Sequence, residues 1–203
     1  MTSHHYTYLA LGDSYTIGES VPLYENFPYL AIQLLRKAGF HFHAPEIIAK
    51  TGWTSFELAE HLLHTQLNAQ YDFVSLLIGV NNQYRGAAIE DFTTDLDFLL
   101  KKAIHLAGEK SSQVIMLSIP DWGVTPFAKG KDAAQIANEI NAFNLVCQLA
   151  AKKHGVHFIS ITEGTRKAAA DNSLLAKDGL HYSAKEHANW ARELVAVIKK
   201  EIK

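Results

Sequence analysis

The sequence predicts a three-layer α/β/α sandwich built on a five-stranded parallel sheet. Two observations carry this reading. Short, almost uniformly apolar runs alternate with segments of helical periodicity, the pattern of a parallel sheet covered by helices on both faces. Helix-start signatures, Thr or Ser followed three residues later by Glu, stand after the second and fifth of these runs.

The elements follow in order. Residues 6–11 form a first strand that ends at Gly12. Phe27, Leu30, Ala31, Leu34 and Leu35 share one helical face, and Gly39 closes that helix. A second strand falls within residues 40–49. Thr54-Ser55-Phe56-Glu57 has capping-box spacing, with Thr54 as N-cap. Residues 73–78 form a buried third strand stopping at Gly79. Phe92, Leu96, Leu99, Ala103 and Leu106 mark the next helix, and residues 114–117 the fourth strand. Ile136, Ile140, Phe143 and Cys147 stripe another helix before a fifth strand at residues 156–159. Ser183-Ala184-Lys185-Glu186 forms a second capping box and opens a helix that runs to about residue 200. The order βαβαβαβαβα is that of a flavodoxin-like sandwich.

A chain of 203 residues without repeat, low-complexity tract or linker reads as one domain over residues 1–203. Its 48% hydrophobic and 20% charged residues suit a globular protein. The formal net charge of -2 supplies no cationic face, which argues against nucleic acid as a partner and for a small substrate. Cys147, the single cysteine, can form no internal disulfide. No apolar run approaches the roughly 20 residues of a membrane span. The N-terminal residues lack a cationic segment followed by an apolar one, so a cytoplasmic protein is expected.

Four short motifs carry chemistry. Gly12-Asp13-Ser14-Tyr15 follows the first strand, where the glycine allows a tight turn and the serine is presented at the strand's carboxyl end. Asp178-Gly179-Leu180-His181 precedes the last helix. A serine hydroxyl needs a base, and the base needs an acceptor on its other ring nitrogen. An Asp three residues before a His, with Gly between, can fold back to supply it. Thr51-Gly52-Trp53 and Gly79-Val80-Asn81-Asn82 also lie at strand ends, where the Gly52 backbone N–H and the Asn81 amide could donate to an oxyanion. Each motif alone is equally a turn whose side chains bond nearby backbone groups.

Together, in this order and spacing, the four blocks resemble the SGNH hydrolases, also called GDSL esterases or lipases, along essentially the whole chain. The resemblance implies a serine hydrolase cleaving carboxylic esters through an acyl-enzyme, without a cofactor. It implies a triad of Ser14, His181 and Asp178, and an oxyanion hole made by the backbone N–H groups of Ser14 and Gly52 and the Asn81 side chain. Asp13 then braces the nucleophile turn. The substrate could be a simple ester, a lysophospholipid, a thioester or an O-acetylated sugar. One position departs from the family pattern: Asn82 stands where an Asp is usual, which puts the packing of that loop in question.

The long connection over residues 120–132 carries Trp122, Pro126 and Phe127 and is either a surface loop or a wall of the substrate site. Tyr15, Trp53, Trp122, Phe127 and Tyr182 are the candidate pocket-lining residues. His41 with His43, and His61 with His64, lack the further ligands a metal site needs. His4 and His5 read as part of a frayed terminus. Two rival readings differ in class. The first is a catalytically silent domain binding an acyl or carbohydrate ligand, suggested by Asn82. The second, a phosphoacceptor using Asp13, lacks an acidic cluster for Mg²⁺.

Overall fold

The structure, a computed structural model, describes residues 4–202. Residues 1–3, part of the stretch read as lacking a leader, and residue 203 lie outside the described residues. The strands β1 (Tyr8–Gly12), β2 (Glu46–Ala49), β3 (Phe73–Leu77), β4 (Val114–Leu117) and β5 (His157–Ile159) form one parallel sheet in the order β2-β1-β3-β4-β5. Leu9 of β1 sits between Glu46 of β2 and Val74 of β3, which fixes the register of the three strands. Strands β1, β3 and β4 are buried along their whole length. Both faces of these strands are covered, so their sequences are continuously apolar rather than alternating.

The helices are α1 (Ser14–Ile17), α2 (Phe27–Lys37), α3 (Ser55–His64), α4 (Val80–Tyr84), α5 (Ile89–Leu106), α6 (Ala133–His154), α7 (Thr162–Arg166) and α8 (Ala184–Glu201). Helix α2 packs on α8, and α5 packs against both α3 and α6. The predicted stripe of α5, Phe92 through Leu106, is buried at every position. Asn26 caps α2 by accepting from the Tyr29 N–H at 3.0 Å, and Gly39 follows its last turn with its N–H on the Arg36 carbonyl. The short helices α1, α4 and α7 have too few residues for periodicity to reveal them.

The two capping boxes part company. At α3 both halves form: the Thr54 N–H donates to Glu57 Oε2 at 2.8 Å, and Thr54 Oγ1 accepts from the Glu57 N–H at 3.3 Å. At α8, Ser183 is the N-cap, but its hydroxyl donates to the Ser173 carbonyl at 2.6 Å. The Glu186 carboxylate instead accepts from Asn189 and Trp190. Other partners have taken both side chains of the expected box, Ser173 of the preceding loop for Ser183 and the next turn of α8 for Glu186. His4 is likewise not frayed, since its Nε2 lies 2.8 Å from Asp72 Oδ1.

From β1 the chain crosses to β2 on one side and then to β3 on the other. A crevice therefore opens beyond the carboxyl ends of β1 and β3, the position where sheets of this kind hold ligands. No described helix is long and apolar enough to cross a membrane.

Candidate active site

Ser14 is the first residue of α1, directly beyond β1. The turn is tight because Gly12 ends the strand: a Cβ there would lie 2.1 Å from Thr16 Oγ1 and 2.4 Å from the Leu77 carbonyl oxygen. Asp13 is fully buried and caps α1, its Oδ1 accepting from the Tyr15 N–H at 3.0 Å. Its other oxygen has no hydrogen-bond partner among the described residues. Burial pushes the Asp13 carboxyl up to about 7, against the pull of the Tyr15 hydrogen bond.

Asp178 and His181 lie in a tight turn between Leu175 and Tyr182, which pair in an antiparallel bridge. Asp178 Oδ1 accepts from the backbone N–H groups of Leu180 and His181, both at 2.9 Å. Its Oδ2 lies 2.6 Å from His181 Nδ1 and also accepts from the Ser20 hydroxyl at 2.6 Å. Partial burial alone would raise this carboxyl. The hydrogen bonds from Ser20, Leu180 and His181 outweigh that and hold it far below the usual carboxylate range. An ionised carboxylate only accepts, so Nδ1 carries a proton, and in the neutral ring the lone pair is on Nε2. The His181 ring packs on Tyr15, with centroids 5.2 Å apart. No hydrogen bond joins Ser14 Oγ to His181, although both face the same cavity. Such contacts are often long before substrate binds.

Beyond β2, the Trp53 N–H donates to the Lys50 carbonyl at 3.2 Å, with Gly52 at φ 82 in the third position of the turn. Only a residue at ease in the left-handed region fits there. Two residues of the α4 segment pin the turn. Arg85 Nη2 donates to the Gly52 carbonyl, and Asn81 Nδ2 donates to the Trp53 carbonyl at 3.0 Å. Arg85 Nη1 also reaches Glu57 of the capping box at 3.2 Å.

Ser14, Gly52, Asn81 and His181 line one cavity of about 120 Å³. Its remaining walls are Tyr15, Thr51, Val80, Tyr84, Trp122, Phe127 and Leu180. Trp122, Tyr84 and Phe127 pack edge to face or tilted at 5.2–6.0 Å, with Tyr84 and Phe127 forming an exposed rim. Trp122 Nε1 donates to Gln83 Oε1 at 2.7 Å, and Asp121, gripped by Arg166 at 2.8 Å, caps the turn that holds Trp122. Of the candidate lining residues, Tyr15, Trp122 and Phe127 face the cavity. Trp53 and Tyr182 do not: Trp53 packs at a tilt against His61, and Tyr182 is fully buried with its hydroxyl donating to the Asp121 carbonyl. Val80, Tyr84 and Leu180 carried no signal beyond adjacency to the motif residues.

Asn82 is buried, and both ends of its amide are hydrogen-bonded to Ser55. Its Oδ1 accepts from the Ser55 N–H at 2.9 Å, and its Nδ2 donates to Ser55 Oγ at 2.8 Å. Ser55 Oγ in turn donates to Asp95 Oδ2 at 2.6 Å. The amide thus performs a packing task at the start of α3, and the observation that suggested a silent binding domain has a structural explanation. Among the described residues no cluster of three His, Cys, Asp or Glu side chains is placed to hold a metal. His41, His43, His61 and His64 are exposed.

Residues 10–188 match the model of the GDSL-like lipase/acylhydrolase family. The chain belongs to that family. Three solved structures share its fold. An acetylxylan esterase of Geobacillus stearothermophilus, Axe2, superposes with a TM-score of 0.76 at 16% identity, covering 97% of this chain and 95% of its own. The psychrotrophic esterase EstA of Pseudoalteromonas gives 0.73 at 18%, covering 97% and 98%. A lipase/acylhydrolase of Enterococcus faecalis gives 0.73 at 22%, covering 97% of each. No curated protein sequence matches the chain. As a member of the GDSL-like family, the chain is a carboxylic ester hydrolase.

Proposed function

We propose that the chain is a serine esterase in which Ser14 is the nucleophile, His181 the general base and Asp178 its orienting partner. The reading rests chiefly on the pair of Asp178 and His181, 2.6 Å apart, beside a cavity that Ser14, Gly52 and Asn81 also line. Ser14 Oγ bonds to the ester carbonyl carbon while its proton passes to His181 Nε2. The carbonyl oxygen, now an oxyanion, takes hydrogen bonds from the Ser14 and Gly52 N–H groups and from the Asn81 amide. The C–O bond to the alcohol breaks as His181 returns the proton to the leaving oxygen. Water then attacks the acyl-enzyme by the same route, releasing the acid and restoring the Ser14 hydroxyl.

The substrate is a small ester with a short acyl group. The apolar walls of Tyr15, Val80, Trp122 and Leu180 suit an acyl chain. A cavity of about 120 Å³ falls short of the roughly 300–1,000 Å³ that drug-sized ligands occupy. The test is hydrolysis of p-nitrophenyl esters from acetate to decanoate by wild type and Ser14→Ala. Turnover that peaks at the shortest chains and vanishes in the variant supports the reading. Undiminished turnover by Ser14→Ala would end it.

A further inference from the structure

We propose that Ser20 is a positioning residue for the pair of Asp178 and His181, presented to them by the turn that follows the nucleophile helix. The inference rests on the serine-esterase reading above. Its first support is backbone geometry. Ser20 has φ 67, and among the described residues only Glu109 is another non-glycine at positive φ. A side chain is strained there, and such strain in an exposed turn points to a task for the residue that bears it.

The second support is where the hydroxyl goes. It donates to Asp178 Oδ2 at 2.6 Å, across 158 positions of sequence, and that is the oxygen 2.6 Å from His181 Nδ1. The Leu180 and His181 N–H groups fix Oδ1, so Ser20 and the ring together fix Oδ2. With both oxygens held, the carboxylate cannot swing about its Cβ–Cγ bond, and the plane of the imidazole is set.

The turn itself is tied to the nucleophile. The N–H groups of Gly18 and Glu19 both donate to the Ser14 carbonyl, and that of Val21 donates to the Gly18 carbonyl at 3.1 Å. Glu19, beside Ser20, accepts from the hydroxyl of Thr51, next to Gly52 on the other wall of the cavity. One turn therefore registers the acid–base loop and the Gly52 loop against the helix that carries Ser14. Ser20 itself does not line the cavity.

The experiment measures kcat, KM and thermal stability for Ser20→Gly, alone and combined with Asp178→Asn, with Ser14→Ala as control. Glycine relaxes the positive φ, which offsets part of the lost hydrogen bond, so Ser20→Gly keeps its fold. Its kcat falls about tenfold, the worth of a hydrogen bond to a charged group, with KM unchanged. In the Asp178→Asn background the same change has no further effect. A wild-type kcat in Ser20→Gly, or an equal loss in both backgrounds, overturns the proposal while inactive Ser14→Ala leaves the esterase reading standing. Wild-type rates in Ser14→Ala and Asp178→Asn would remove that reading, and this proposal with it.

Discussion

The side-chain amide of Asn81 donates to the carbonyl of Trp53 at 3.0 Å, so the turn bearing Gly52 and the segment bearing Asn81 are joined through the group expected to meet the oxyanion. An amide nitrogen carries two hydrogens. One holds Trp53, and the other remains for the cavity that Asn81 lines. Asn81→Ala removes the donor and the tie together. The variant keeps its fold and loses about 10²–10³ in kcat, as other oxyanion donors do. Steady-state kinetics on a short-chain ester, with a thermal melt alongside, checks this; a wild-type kcat would remove Asn81 from the oxyanion hole.

The contact between Asn82 and Ser55 makes a second prediction, for Asn82→Asp. The Ser55 hydroxyl has one hydrogen, and Asp95 already takes it. A carboxylate at position 82 would still accept from the Ser55 N–H and would gain about 0.3–1 kcal/mol from the start of α3. It would also leave a buried or half-buried carboxylate oxygen unpaired, at about 1–3 kcal/mol. The second effect wins, so Asn82→Asp is destabilised. Adding Asp95→Asn restores one donor and one acceptor around Ser55 and recovers most of the loss. Denaturant midpoints of the two single variants and the double variant decide the matter, and simple additivity would contradict the account.

Asp13 makes stability depend on pH. Its folded-state carboxyl is pushed up to about 7 by burial, from an ordinary value of 3.8. The contribution is fully present below about pH 4, where both folded and unfolded chains hold the proton. It is lost as pH rises to about 7, because the unfolded chain ionises first. Asp13→Asn removes that slope. Relative to wild type, the variant gains stability between pH 4 and pH 7, on the order of a few kcal/mol. Chemical denaturation across that range measures it, and parallel curves for the two proteins would mean that Asp13 is ionised in the folded state.

The strands, the α3 capping box and the four motif blocks were legible because each is a local pattern. Apolar runs stop at Gly12 and Gly79, and Thr54 and Glu57 satisfy one another within a single turn. What could not be read depends on partners far away in sequence. Ser20 meets Asp178 across 158 positions, Asp95 meets Ser55 across 40, and Arg85 meets Gly52 across 33. Competing partners undid two expectations. Ser183 found Ser173 instead of completing its box, and the Tyr182 hydroxyl found the Asp121 carbonyl instead of the cavity. Trp53, beside a motif glycine, packs against His61 and does not line the cavity.

The central claim is that Ser14 is the nucleophile and that the pair of Asp178 and His181 activates it. The most direct measurement is stoichiometric labelling with a fluorophosphonate ester, read by intact mass and by peptide mapping. The account predicts a single adduct per chain, on Ser14, formed quickly by wild type, much more slowly by His181→Ala, and not at all by Ser14→Ala. An adduct on another residue, or equal labelling rates with and without His181, would contradict it.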